Sequence, residues 1–541
     1  MVQFTIGQLI SVIALFLAFS QLTKPIIRFK ISAAKINLKF LFSLFVLAII
    51  CVFIASLLPS IPVPVLPHLS YSILLEFSAG VLFVVPAIRL IIAVSKSPVF
   101  TRRKSKAYLN ACTALIARGN DDDLRKLADE ISVSVKSIFE ECKSYDSFEA
   151  RRAKERGEVY QVHESTKIAF TILDLWSDKS FCKNIVCKSP ATAIEIFDQL
   201  ISNQEFERAG YALSQQLINQ AFVNRESILM REEDYSGLGF FKPFRNTVFG
   251  NWRFIESNYR PLQAWQYYNE NVEAWQVKKH CECLETSFNA YFKAKDYWQY
   301  PSALYVGLDH LADIAGYQVA HFHHVDKQDL YRSKEFQVVQ KIGHGLAKVV
   351  KVIEKEQGNI PEYKFEEKDY DHFKDMSIYG VVAFGIYNYL EKMAMAESHD
   401  EAIRLLCVID LWHRVFHVTL AKTSKVQKEI GLRLVIHLRK IVDENLDTEQ
   451  RWYPAITRLL ISLYGIHEPK ELNYNRIDAQ FHKEFIDKLK TNYSKLAQKD
   501  PEFAERMLPD NVVYDRKSNE LRHKRFRQEV DVLKLTSAGP D

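Results

Sequence analysis

The chain has 541 residues, 48% hydrophobic and 25% charged, with only 18 Gly and 17 Pro. Gly and Pro together stand at about half their usual share, which excludes a collagen-like, low-complexity or largely disordered chain and disfavours a turn-rich all-β fold. The net charge of +5 is unevenly placed: residues 1–106 hold 11 Lys or Arg and one acid, Glu76, leaving 60 basic and 65 acidic residues in 107–541. That mildly acidic remainder lacks the basic excess that phosphate backbones attract, so no nucleic-acid partner is expected.

In chain order, residues 1–23 carry no charge, and Thr5 to Leu22 reads as an apolar helix, about 4–23, long enough to span a bilayer. The first cation, Lys24, follows this stretch rather than preceding it, which argues against a cleaved signal peptide. Residues 40–75 form a second uncharged run of 36, too long for one span. Pro59, Pro62, Pro64 and Pro67 interrupt it, predicting helices 40–58 and 70–94 around a turn at 59–69.

The flanks carry Lys24, Arg28, Lys30, Lys35 and Lys39 on one side and Lys96, Arg102, Arg103, Lys104 and Lys106 on the other, with no acid among them. This positive-inside bias predicts a multi-pass protein with its N-terminus and the 59–69 turn outside and everything from about 96 onward cytoplasmic. In a prokaryote that is the inner membrane. The lipid bilayer is thus the first expected partner, and the basic run 101–106 suits anionic headgroups. Glu76 and Arg89 share the third span, 13 positions or roughly 20 Å apart, too far to pair within it. Glu76 either snorkels to the interface or lines an aqueous path in an oligomer.

Residues 107–541 read as successive helices. Asp121-Asp-Asp123 opens one to about 143, and Ser189-Pro190 caps another over 191–203. Further helices are predicted over 205–231, 262–296, 302–324, 329–356, 375–397, 402–421, 424–444, 450–464, 477–497 and 516–534. Tetratricopeptide and ankyrin patterns are absent. The fold class expected is all-α: a three-helix transmembrane segment over 1–99, then an irregular or solenoid-like helical domain divided near residue 330 into 100–330 and 331–541. An irregular aromatic segment, 232–261, includes Phe240, Phe241 and Trp252; these either plug into the helical body or form a partner-binding loop.

Motifs for chemistry are scarce. No CxxC, Gly-Lys step, HExxH or GxSxG occurs. His280-Cys-Glu-Cys283 is superficially metal-like, but neighbours one or two apart on a helix point in different directions. His399-Asp400 resembles the central doublet of HD phosphohydrolases, although Ser398 and Glu401 already explain it as a capping box. Two stripes share helical faces: His310, Asp313, Tyr317, His321 and His324 on one helix, and Asp410, His413 and His417 on another. They are either solvated faces or ligands to one metal between the two helices. No cofactor is expected.

The layout resembles membrane-anchored sensors and some bacterial membrane-disrupting defence effectors. Three functions follow: a membrane-anchored scaffold or sensor with a protein partner, a homo-oligomeric channel or membrane-disrupting effector gated by the cytoplasmic domain, or a metal-dependent hydrolase.

Overall fold

The computed structural model describes residues 24–57, 62–63, 66–143, 152–153, 155–202, 209–232, 243–257, 260–263, 271–297, 299–326, 329–361, 375, 377–395, 401–413, 424–447, 454–467, 476–524 and 530–536. They are mostly helical and fall into two compact units, Met1–Thr247 and Val248–Asp541. Residue 330, the division suggested by sequence, lies inside the second.

The first unit opens with α1 (Pro25–Ala33) and an apolar hairpin, α2 (Leu38–Leu57) and α3 (Tyr71–Ser95). Between them, β1 (Pro62–Val63) and β2 (Leu66–Ser70) form a short antiparallel ladder, Pro62 opposite Ser70 and Val63 opposite Leu66, within the expected proline turn. The hairpin packs through Leu41, Phe45, Ala48 and Ala55 against Ala79, with Phe45 and Phe83 edge to face at 5.4 Å. Small side chains let the two backbones approach closely. The outward faces are a different matter. Eight large apolar side chains on α2 and ten on α3 are exposed, against ten in the rest of the described residues.

Among the described residues one helix is long and apolar enough to cross a membrane, Leu74–Ser95, of 22 residues. The apolar run Lys39–Ala55 is shorter. The expected span at 4–23 lies outside the described residues. The three-span expectation thus reduces here to one qualifying helix and an apolar partner packed on it.

A bundle follows: α4 (Ser105–Ile116), α5 (Asp121–Cys142), α6 (Glu164–Trp176), α7 (Lys179–Lys188), α8 (Pro190–Ser202), α9 (Ala209–Val223) and α10 (Ile228–Arg231). The sequence reading missed α4, α6 and α7, and joined α9 to α10, which Asn224–Ser227 separates. α11 (Pro243–Phe249) crosses the boundary between units.

The second unit comprises α12 (Trp252–Ile255), α13 (Ala274–Ala294), α14 (Ser302–Ala320), α15 (Lys334–Glu356), α16 (Ile378–Met395), α17 (Glu401–His413), α18 (Lys425–Asp447), α19 (Pro454–Tyr464), α20 (Arg476–Lys499) and α21 (Pro501–Arg506). Within it α13 packs on α15, α14 on α16, α16 on α18 and α18 on α20. α13 and α15 approach closely at Gly345, where a β-carbon would clash with the Cys281 sulfur.

The last stretch corrects the sequence reading. The described residues of 516–534, a stretch expected as a helix, belong to an antiparallel meander of β3 (Val512–Asp515), β4 (Glu520–Lys524) and β5 (Val530–Lys534). Asp515 Oδ1 accepts from the backbone N–H of Lys517 at 3.0 Å, and Asn519 adopts φ +52°. Such an Asx turn with a left-handed Asn closes a hairpin readily. Val512, Leu521 and Leu533 face inward while Val513 and Val532 face solvent, the period of two that a half-buried sheet needs.

Candidate functional site

The basic end of the hairpin is joined to the first unit by a set of polar contacts. α1 lies in the segment expected as a basic loop. Pro25 occupies its first turn, suiting a helix start. It buries Phe29, Ile31 and Ala33, and Phe29 meets Tyr108 of α4 edge to face at 5.8 Å. Tyr108 in turn meets Phe100 at 5.7 Å.

The cation between these buried positions makes the decisive contacts. Lys30 Nζ donates to the Val94 carbonyl at 3.1 Å and pairs with Glu130 Oε1 at 2.8 Å. The Val94 carbonyl belongs to the last turn of α3, where carbonyls lack intrahelical donors and a cation opposes the helix dipole. One ammonium therefore joins α1, the end of the long apolar helix and α5. Lys30 and Glu130 are 14% and 17% exposed, sheltered enough for the pair to escape most solvent screening.

α5 supplies a whole ridge of such contacts. Its start is fixed by Asn120, whose side chain accepts from the N–H of Asp122 and Asp123, with three acids in the first turn. Leu124, Leu127, Ala128, Ile131, Val135 and Ile138 then seat it in the core. Glu130, Ser134 and Glu141 stand at i, i+4 and i+11, within about 40° of one another around the axis. Ser134 Oγ donates to the Pro98 carbonyl at 2.9 Å and accepts from Phe100 N–H at 3.0 Å. Glu141 accepts from Arg102 Nε at 2.7 Å, Ser165 Oγ at 2.6 Å and Thr166 Oγ1 at 3.2 Å. Burial pushes the Glu141 carboxyl up, but the bonds from Ser165, Arg102 and Thr166 together outweigh it and hold the pKa below the usual range.

No protein-family model matches this chain, and comparison with curated proteins and with solved structures finds no match.

Two cavities in the first unit differ in charge. One, of about 480 Å³, is lined by Arg125, Lys183, Lys188 and Arg225 but also by Asp121, Asp122 and Glu226, and Lys188 pairs with Glu226 at 3.2 Å. The other, of about 430 Å³, lies at the base of the hairpin with Lys35, Arg89 and Lys104 in its wall and no carboxylate.

The residues singled out from sequence fall in several places. Glu76 is exposed on α3. His310 leaves its stripe: it is buried and meets His280 of α13 edge to face at 5.7 Å. Burial pushes the pKa of His280 down to about 3 and that of His310 to about 4. Asp313 pairs with Lys392 at 2.9 Å, and the His321 ring lies 4.3 Å from Tyr317 with Nδ1 2.8 Å from the Tyr317 carbonyl. His324 lies against His323 at 3.8 Å, beyond the α-helix in a short 3₁₀ turn.

Asp410 faces His344 of α15 at 3.4 Å. The side chain of His413, and the whole of His417, Phe240 and Phe241, lie outside the described residues. Among the described residues no three His, Cys, Asp or Glu groups are placed to share a metal. Trp252 is buried, with Nε1 donating to Asp296 at 3.3 Å and its ring 4.9 Å from Tyr291. The sequence reading missed Lys30, Glu130, Ser134 and Glu141. The polar ridge at i, i+4 and i+11 of an otherwise amphipathic helix was the available signal.

Proposed function

We propose that this chain is a membrane-anchored helical interaction protein. Its apolar hairpin sits in the bilayer, its helical body lies on the cytoplasmic side, and the ridge of α5 holds the two in fixed register while the body binds a protein partner. The observation that carries the reading is the Lys30 clasp, which ties the end of an apolar helix with an exposed lipid-like surface to a buried helix of the body. The ten-to-zero excess of Lys and Arg over acids at the basic flanks supports the orientation.

Impermeant maleimide applied to intact cells should label Val65→Cys and leave Arg103→Cys unlabelled until the membrane is opened. Labelling of Arg103→Cys from outside reverses the proposed orientation. Purification in mild detergent should return a heteromeric complex, and a chain that is monomeric throughout counts against a partner-binding role.

A second reading, an oligomeric permeation path, rests on Glu76. It is exposed on α3 among Phe77, Val81 and Val84, a surface where a carboxylate is costly in hydrocarbon. Several copies packed around Glu76 would relieve that cost. A homo-oligomer of defined mass in place of the heteromer would favour it.

A further inference from the structure

We infer that the cavity at the base of the hairpin is a binding site for a phosphate group, specifically the headgroup phosphate of an anionic phospholipid. The inference rests on the membrane-anchored reading above and names what the anchor recognises. The cavity's volume, about 430 Å³, lies within the range of small-molecule sites. Its wall divides by chemistry. Lys35, Arg89 and Lys104 supply three cations from three different segments, and Ile36, Phe40, Leu41, Ile92 and Ala93 supply apolar surface. A soluble anion needs only the first half of that wall. A phospholipid uses both, because its phosphate meets the cations while its acyl chains run along the apolar side.

Among the described residues no carboxylate lines this cavity. Glu130 and Glu141, the acids of the α5 ridge, are engaged with Lys30 and Arg102. The only acid in residues 1–106, Glu76, is 13 positions from Arg89 along α3, roughly 20 Å. Among the described residues Lys35, Arg89 and Lys104 make no ion pair. The cavity also borders the start of α2, where Asn37 caps the N–H groups of Lys39 and Phe40, and a helix N-terminus favours an anion.

Lys35 provides a second, independent observation. It ends α1 in the left-handed conformation, φ +59°, where its N–H donates to the Ser32 carbonyl and the Ile36 N–H to the Ile31 carbonyl. Glycine adopts that conformation without penalty, whereas a residue with a β-carbon is disfavoured there. A lysine at a position that suits glycine, in the wall of a cavity with two further cations, is local strain with a use.

The strain also gives a clean test. The full-length chain is reconstituted in phosphatidylcholine vesicles containing a minor fraction of phosphatidylglycerol, and retained lipid is counted by native mass spectrometry. The wild type should retain phosphatidylglycerol over phosphatidylcholine by about tenfold or more, with the preference falling as salt rises. Lys35→Gly should lose most of that preference while melting at the same temperature or higher, a combination that lost folding cannot produce. Arg89→Gln and Lys104→Gln should each weaken it further.

Unchanged preference in the triple variant overturns the site. Displacement of the lipid by inorganic phosphate overturns the lipid as the source of the phosphate. Carbonate washing of the same vesicles separates the two proposals. Protein that stays in the membrane without lipid preference sinks this site alone, and protein that is extracted sinks the anchor beneath it.

Discussion

In residues 1–247 the buried acid Glu141 faces Arg102, a side chain that is 62% exposed on the segment leading into α4. In residues 248–541 the cation Arg433 is 1% exposed and meets groups of its own unit. Its Nε donates to Asp375 at 2.6 Å, its Nη1 to Glu429 Oε2 at 2.6 Å, and its guanidinium lies 5.6 Å from the centre of the Tyr379 ring. At the α5 ridge the first unit thus commits a buried carboxylate to a peripheral segment, whereas its Glu232 is held by the N–H groups of Phe244 and Arg245. In the second unit Arg433 is held by two carboxylates and a ring of the same unit. A buried polar contact that reaches out to a peripheral segment marks a junction, and one sealed in the core marks a staple.

The largest expected effect attacks the sealed side. Arg433→Met leaves Asp375 and Glu429 facing each other without their cation, and should lower unfolding stability by about 4 kcal/mol, read from urea denaturation. A loss below about 1 kcal/mol would mean water already reaches this cluster and would blur the contrast between the units.

The buried histidines come next. Burial holds His280 near pKa 3 and His310 near pKa 4, below the ordinary value of about 6.5, so the unfolded chain binds more protons. Their contribution is complete above pH 6.5 and drains away as pH falls towards 4. At pH 5 each ring should cost about 2 kcal/mol relative to pH 7. His310→Gln should therefore shrink the stability lost between pH 7 and pH 5 by about that amount. An unchanged difference would show that these rings are hydrated in solution.

The smallest effect probes the junction. Glu141→Gln keeps the shape but loses the charge that Arg102 and Ser165 donate to, and should cost about 1.5 kcal/mol. Because the Glu141 pKa is held below the usual range, the wild type should lose this advantage as pH falls through that depressed value. At that acidity the variant and the wild type should converge. Persistence of the gap would show that Arg102 reads shape rather than charge.

Much of this was legible in the sequence, where local signals dominate. The apolar hairpin, the basic flanks and the starts of α5 and α8 follow from charge-free runs, prolines and capping residues close together in the chain. The terminal sheet was not legible as sheet, because Arg516, Lys517, Arg522 and Lys524 mask a short alternation that depends on packing against the rest of its unit. The buried state of His310 was likewise hidden. Periodicity places it beside Asp313 and His321, but the arrival of α13 with His280 draws it inside. The ridge of α5 was visible as spacing, though its partners lie up to a hundred positions away and no spacing names them. Trp252 sits in a stretch that reads as irregular, yet it opens a short helix, and its burial fits the packing alternative offered for that stretch.

The ridge on α5 also sets a rule of length. From Glu130 to Glu141 is eleven residues, roughly 16 Å of axis, and the contacts at both ends must fall on the same side of the rod. One inserted residue turns everything beyond it by about 100° and carries Glu141 away from Arg102. The distance between the two anchor points can therefore change only by steps near a whole number of turns, such as seven or eleven residues. α5 behaves as a toothed gauge between the base of the hairpin and the bundle, and its permitted lengths are discrete.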